Sequence, residues 1–145
     1  MGKVYFDTLD EIFPDFKKFI DKYYEDGALP HALDVDWIGL EQMAEAIVCF
    51  TVIKNNDIVG VNAFHVYEDI KDKDSILADN LVFLVRKEFR KSFSFLLIEQ
   101  SKNMLKKKGV NKVNYLLYKN HQKPLIRLLQ QKGYEEDMVK LSWAC

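Results

Sequence analysis

The sequence predicts an α/β domain, and three observations carry that expectation. Apolar residues recur at helical spacing in four segments, runs of β-branched and aromatic residues lie between them, and turn-forming residues separate the two kinds. With 145 residues, 48% apolar and 30% charged, and with only six glycines and three prolines, the chain has the makings of one hydrophobic core. Disordered and collagen-like polymers are excluded.

Val4-Tyr5-Phe6 is a short candidate strand. Over residues 7–25, Leu9, Ile12, Phe13, Phe16, Ile20 and Tyr23 form one apolar stripe, with Gly27 as the stop and Pro14 as a point where the helix starts or kinks. Residues 27–31 read as a loop. A shorter helix is expected over 37–46, with Asp34, Asp36 and Glu41 near its positive end. Residues 47–53 and 58–67 flank Asn55-Asn56-Asp57 as the arms of a β-hairpin. A polar loop at 68–75 leads to an apolar strand at 76–85. Ser94, Leu97, Ile98, Ser101, Met104 and Leu105 share one face of a helix over 90–108, closed by Gly109, with Lys106, Lys107 and Lys108 at its negative end. A strand at 110–118, a helix marked by Leu125, Ile126, Leu128 and Leu129 and stopped by Gly133, and a last strand within 134–143 complete the order β-α-α-β-β-β-α-β-α-β. No linker or internal repeat interrupts it.

Several function classes drop out. No apolar run approaches the ~20 residues that cross a bilayer, and the start meets Asp7 before a signal-peptide hydrophobic region develops, so neither a membrane protein nor a secreted precursor is expected. Cys49 in an apolar run and Cys145 at the end make no disulfide framework and no metal-spaced set. A reducing, cytoplasmic compartment is the expectation. Charge divides sharply: residues 1–79 hold 7 Lys and Arg against 17 Asp and Glu, a balance of −10, and residues 80–145 hold 14 against 5, a balance of +9. Either the molecule presents a basic surface to a polyanion and an acidic one to a cation, or the halves attract each other across one core.

The informative junction runs from Leu81 to Leu97, a buried strand, a short charged turn and the start of a long helix. A helix N-terminus offers unpaired N–H groups and partial positive charge to a phosphate, and Arg86, Lys87, Arg90 and Lys91 gather cations there. An ordinary strand-to-helix connection with solvated charges is the competing reading.

This order of elements, the turn Val85-Arg86-Lys87-Glu88-Phe89-Arg90 into a long helix, and the ending Leu128-Leu129-Gln130-Gln131-Lys132-Gly133-Tyr134 resemble the GNAT superfamily of acyl-CoA-dependent N-acyltransferases, its small bacteriophage-type members in particular. The resemblance covers essentially residues 47–143. Val85, Glu88, Phe89 and Arg90 match the family pattern Val-x-Pro-Glu-Tyr-Arg-Gly-x-Gly-x-Gly, whereas Lys87 replaces its proline and Lys91, Phe93 and Phe95 replace its glycines.

What the resemblance implies is a single domain over residues 1–145, with a mixed, mostly antiparallel central sheet flanked by helices. It implies acetyl-CoA as cosubstrate and direct attack by an amine. The amides of Arg90, Lys91, Ser92, Phe93, Ser94 and Phe95 would hold the CoA diphosphate, and main-chain groups of Phe83 and Val85 would pair with the pantetheine arm. Asp79, with Asn80 beside it, would take the proton of the incoming ammonium; the usual acidic position is occupied by Leu81 and Val82. Leu128-Leu129 stands where the family places its acidic tyrosine, so Tyr118 or Tyr134 would protonate the departing thiolate.

Partners expected on this basis are a small-molecule or protein amine, cationic to suit the acidic half, with no membrane and a monomeric or homodimeric state. A non-catalytic module of the same fold, serving protein interaction or a virion, is the alternative that the missing glycines favour. Nucleic-acid binding through the basic half is disfavoured by the acidic half and the lack of a recognisable motif. His65 has no visible partner, His31 and His121 fall in loops or caps, and Asn120 reads equally as a helix cap. No spacing supports a metal.

Overall fold

Helices and strands alternate largely where the apolar spacing places them. The computed structural model describes residues 3–25, 36–117, 122–136 and 143, with main chain only at 24 and 25. In chain order they form β1 (Val4–Thr8), α1 (Leu9–Glu25), α2 (Trp37–Met43), a 3-10 turn (Ala44–Ala46), β2 (Ile47–Lys54), β3 (Asp57–Glu68), β4 (Ile76–Val85), a second 3-10 turn (Lys87–Phe89), α3 (Arg90–Lys107), β5 (Lys112–Asn114) and α4 (Lys123–Gln131). The sheet follows sequence order from β1 to β5. Its first four strands are antiparallel and β5 runs parallel to β4.

Local chemistry sets the boundaries. Thr8 and Glu11 form a capping box: the Glu11 carboxylate accepts from the Thr8 N–H at 2.9 Å and from its hydroxyl at 2.7 Å. These bonds hold the Glu11 carboxyl below its usual range. The helix therefore starts before Pro14 and runs through it, with Pro14 on the exposed face. Asp36 caps α2 through the Gly39 N–H at 3.0 Å. Asn55 and Asn56, at φ 52° and 66°, make the tight turn between β2 and β3. α3 and α4 end alike: Gly109 and Gly133 take φ near +90°, and the next residues, Val110 and Tyr134, bond back to Leu105 and Leu129 at 3.1 Å.

Two hydrophobic layers cover the sheet. α1 packs Phe16, Phe19, Ile20 and Tyr23 over Ile47, Cys49, Val61, Ala63, Val82 and Leu84, with Trp37 and Leu40 of α2 partly buried against them. α3 packs Phe93, Leu97 and Leu105 over Phe50, Val52, Phe64, Ala78 and Val85. Fully buried rings such as Phe50 and Phe64 contribute about 1.5–3 kcal/mol each.

The far end of the chain departs from expectation. β5 spans only Lys112–Asn114 of the expected 110–118, because its pairing with β4 ends at Asn114; residue 118 lies outside the described residues. Residues 134–136 are irregular rather than strand, and the rest of the expected last strand, apart from Trp143, lies outside the described residues.

Burial pushes the Cys49 thiol up to about 12, with the Asp7 carboxylate adding to the effect. The thiolate is the nucleophile. Cys49 is therefore expected to stay unalkylated by iodoacetamide at about pH 8 in the native protein and to react fully in urea, as peptide mass spectrometry would show.

Candidate active site

The site begins where two strands part. β4 pairs with β5 only from Leu77 to Asp79, against Lys112 to Asn114. Among the described residues no strand covers that side of β4 from Asn80 to Val85. Across the other side, Ala63 faces Val82 and Phe64 faces Asn80, so Leu81 is an extra residue, a β-bulge with its side chain 48% exposed. Beyond the bulge, the Arg86 N–H bonds to the Val59 carbonyl at 2.9 Å. Strand alternation then aims the main-chain groups of Val85 and Phe83 the opposite way, into the gap beside β5.

Asn80 holds the bulge. Its Nδ2 lies 2.7 Å from the Asn62 Oδ1, 3.1 Å from the Ala63 carbonyl and 3.2 Å from the Val82 carbonyl. Asn62, fully buried, spends both its own amide hydrogens, on the Ser101 hydroxyl at 3.2 Å and the Tyr115 hydroxyl at 2.9 Å. Ser101 in turn donates to the Leu97 carbonyl at 2.5 Å. A side-chain network thus ties the bulge to α3 and to the end of β5. With its amide nitrogen consumed, Asn80 positions the strand and has no basic atom to offer an ammonium.

At the start of α3, Phe89 is the N-cap and no side chain caps it. The Phe89 N–H bonds to the Arg86 carbonyl at 2.8 Å and the Arg90 N–H to that of Lys87. Because the helix begins at Arg90, the amides of Phe93, Ser94 and Phe95 close the first intrahelical bonds, back to residues 89–91. The expected cradle from Arg90 to Phe95 contracts to the amides of Lys91 and Ser92, both at exposed residues. The rings do not fill it. Phe93 is buried in the core against Phe89, and Phe95 lies on the outer face of the helix. The Arg90 side chain folds away from the helix end, with Nε 3.1 Å from the Val85 carbonyl and Nη2 2.9 Å from the Tyr23 hydroxyl. It joins α1 to the end of β4.

Asp79 and Tyr134 occupy opposite faces of the sheet. Asp79 alternates with Ala78, which is buried under α3, so its carboxylate lies on the other face. There it accepts from the Tyr67 hydroxyl at 2.7 Å and from Asn114 Nδ2 at 3.0 Å. The bond to Asp79 raises the Tyr67 phenol above its usual range. His65 stacks on Tyr67 with ring centroids 5.2 Å apart.

On the α3 face, Tyr134 meets Tyr115 edge to face at 5.3 Å. Its buried hydroxyl lies beside that of Tyr115, with no partner in standard hydrogen-bond geometry. Burial pushes Tyr134 up to about 12 and raises Tyr115 further. Tyr118, His31, Asn120 and His121 lie outside the described residues.

Asn62, Tyr67, Asn114 and Tyr115 escaped the sequence reading. Asn62 could have been singled out as a polar residue inside the apolar run Val59 to Phe64. Of the acidic residues, Asp7 lies on β1, at the far edge of the sheet from β5, and Asp57 lies in the β2–β3 hairpin, where Lys18 stands 3.3 Å from it. Among the described residues, no group of three or more His, Cys, Asp or Glu could hold a metal, and no helix is long and apolar enough to cross a membrane.

No protein-family model and no curated protein matches the sequence. Solved structures do. An aminoglycoside acetyltransferase, meta-AAC0020, from an uncultured soil metagenomic sample in complex with sisomicin, aligns over 99% of this chain and 96% of its own, with a TM-score of 0.77 at 18% identity. The fold is that of the GNAT-type acetyltransferases. A ribosomal-protein-alanine N-acetyltransferase from Brucella melitensis biovar Abortus 2308 shares it over 100% and 99% of the two chains, at 12% identity and a TM-score of 0.73. A predicted acetyltransferase with acetyl-CoA from Clostridium acetobutylicum does so over 99% and 96%, at 11% identity and a TM-score of 0.70.

Removing the hub of the polar network leaves Asn80, Ser101 and Tyr115 short of partners in the core. Asn62→Ala is expected to destabilise the protein by about 2–4 kcal/mol in urea titrations.

Proposed function

We propose that the protein transfers an acetyl group from acetyl-CoA to an amine, which attacks the thioester carbonyl directly. One observation carries the reading: the edge of β4, open at Phe83 and at the Val85 N–H, leads from the bulge to the uncapped start of α3. An extended, amide-bearing arm that ends in a diphosphate matches a free strand edge that ends in free amide donors. Fold neighbours with acetyltransferase names, one with acetyl-CoA and one with sisomicin, support the same chemistry.

In this reading the main-chain groups of Phe83 hold the arm, and Val85 contributes its N–H alone, because its carbonyl accepts from Arg90 Nε. The amides of Lys91 and Ser92, with the ammonium groups of Lys87 and Lys91, hold the diphosphate. The Val85 N–H polarises the acyl carbonyl as negative charge grows on its oxygen. Asp79 takes a proton from the acceptor ammonium, directly or through one water, at the lone pairs that Tyr67 and Asn114 leave open. As the C–S bond breaks, the Tyr134 hydroxyl, buried beside Tyr115 until the carrier opens the gap, passes its proton to the leaving sulfur and is reprotonated by water once the product leaves. Asp79 and Tyr134 serve opposite sides of the gap. The base meets the acceptor on the α1 face, and the acid meets the thiol on the α3 face.

Calorimetric titration of the folded protein with acetyl-CoA tests the reading, with binding expected in the micromolar range. Silence at about 0.5 mM ligand, well above that range, gives way to the non-catalytic alternative. Asp79→Asn is expected to lower kcat by about 10²-fold or more while leaving the KM for acetyl-CoA unchanged. Ser92→Asp separates the helix terminus from the ligand. An acid in the first turn stabilises the helix by about 0.3–1 kcal/mol, yet it should weaken acetyl-CoA binding by about tenfold or more through repulsion of the diphosphate. With the Tyr134 phenol held up to about 12, it stays protonated through the neutral range. No alkaline fall in rate is expected below about pH 10, as a pH–rate profile would reveal.

A further inference from the structure

At the end of the sheet away from β5, β1 pairs with β2 alone, and among the described residues nothing covers its outer edge. Two separate observations fix which main-chain groups that edge presents. The Thr8 N–H donates to the Glu11 carboxylate at 2.9 Å, so it points away from β2. The Arg86 N–H bonds to the Val59 carbonyl, and alternation carried from there through the registers of β3, β2 and β1 turns Tyr5 and Asp7 toward β2. Both leave the N–H and C=O groups of Val4 and Phe6 on the open side.

Edge strands that stay single are commonly blunted by a proline, a bulge or a charge in mid-strand. β1 has none of these. Its charges stand at the two ends, Lys3 and Asp7, with Val4, Tyr5 and Phe6 between them. Turned end for end, the segment is its own complement: base meets acid, Val4 meets Phe6, and Tyr5 meets itself. Lys3 lies over the Tyr5 ring, 5.1 Å from its centroid, on the side of the strand that Asp7 shares. Tyr5 is 40% exposed. Asp7 makes no ion pair among the described residues, since Lys18, which lines the same cavity, is held by Asp57 at 3.3 Å. Burial and the Glu11 carboxylate raise the Asp7 carboxyl above its usual range, the condition of an acid without a cation.

We propose that the protein forms a two-fold dimer in which the β1 edges of two copies pair antiparallel about Tyr5. Val4 of each copy exchanges N–H and C=O bonds with Phe6 of the other, and Lys3 of each faces Asp7 of the other on the α1 side. On the α3 side Val4 and Phe6, already packed against the second layer, meet their counterparts and carry that layer across the two-fold. Neighbouring registers are poorer. A two-fold at Asp7 sets carboxylate against carboxylate, one at Phe6 calls on the Thr8 N–H that Glu11 holds, and one at Val4 leaves Asp7 without its cation. The two sheets become one, with β5 and its gap at each far end, so the candidate sites stay open. This inference is independent of the acyl-transfer reading, and its test needs no acyl carrier.

Sedimentation velocity of the full chain over about 5–500 µM tests the pairing. A short paired edge buries less than a standard interface, so a Kd of about 10–100 µM is expected, the mass rising toward twice 17.0 kDa. Lys3→Glu and Asp7→Lys each set like charges opposite one another and raise the Kd about tenfold or more. Mixing the two folded variants restores association to within about threefold of wild type, because every acid then faces a lysine. A variant that merely loosens the fold is not rescued in this way. Val4→Pro removes an outward N–H that the ladder to β2 does not use, and it abolishes the dimer while the circular dichroism spectrum is kept.

A wild-type chain that is still monomeric at about 500 µM overturns the proposal. So does a mixture of the two charge variants that stays as dissociated as its components. A dimer that survives Val4→Pro also overturns it, by assigning the association to another face.

Discussion

The parting of β4 from β5 is the constraint on which the rest of the site depends. A strand interior normally spends its N–H and C=O groups on neighbours at both sides, and an open edge invites unwanted pairing. Here the pairing stops after Asp79 and Asn114, and the next six residues of β4 run on beside a gap. What keeps them there is the polar hub around Asn62. Its carboxamide is fully used, one oxygen and two hydrogens, by three side chains from β4, α3 and the end of β5. Buried amides of this kind are costly when a partner is missing and specific when none is. The hub therefore selects one arrangement of three elements, and that arrangement has the strands apart.

The bulge at Leu81 also decides which side chains see which helix. Before it, Ala78 and Asn80 look toward α3; after it, Phe83 and Val85 do. Without the extra residue, strict alternation would turn one of these pairs to the α1 face. Phe83 and Val85 would then leave the second hydrophobic layer, or Asn80 would leave Asn62. Asp79, just upstream, keeps the α1 face and meets Tyr67 and Asn114 there. One inserted residue thus reconciles a packed core under α3 with a carboxylate on the opposite side.

Much of this was legible in the sequence, and the exceptions have physical causes. The bounds of β4 and the start of α3 were readable because a β-branched run ends at a charged turn and a new period begins. Gly109 and Gly133 marked helix ends because a left-handed C-cap needs them. The bulge was hidden, since a continuous apolar run carries no alternation to break. β5 was overread because Tyr115, Leu116 and Leu117 look like strand, while their composition carries no sign that the pairing with β4 stops at Asn114. The Asp79 cluster was half visible: Asp79 stood out, but its partners come from β3 and β5 and are joined to it only by register.

The aromatics at 93 and 95 show how helix phase alters the meaning of a substitution. Glycine is required where φ is positive or where a backbone must come very close to something else. Lys91, Phe93 and Phe95 all lie inside α3 and none has a positive φ, so none of the three positions needs that freedom. Four residues on from Phe89, Phe93 faces inward with Leu97 and Ser101 and fills the core without touching the helix end. Phe95 falls about 200° further round the helix, toward solvent. What the rings change is therefore the kind of anion seat. A plain helix start exposes two amides, those of Lys91 and Ser92, where a glycine loop could present more. Anchoring then shifts from the backbone to the side chains of Lys87, Lys91 and their neighbours, so this end of the molecule depends on charge more than on close main-chain approach.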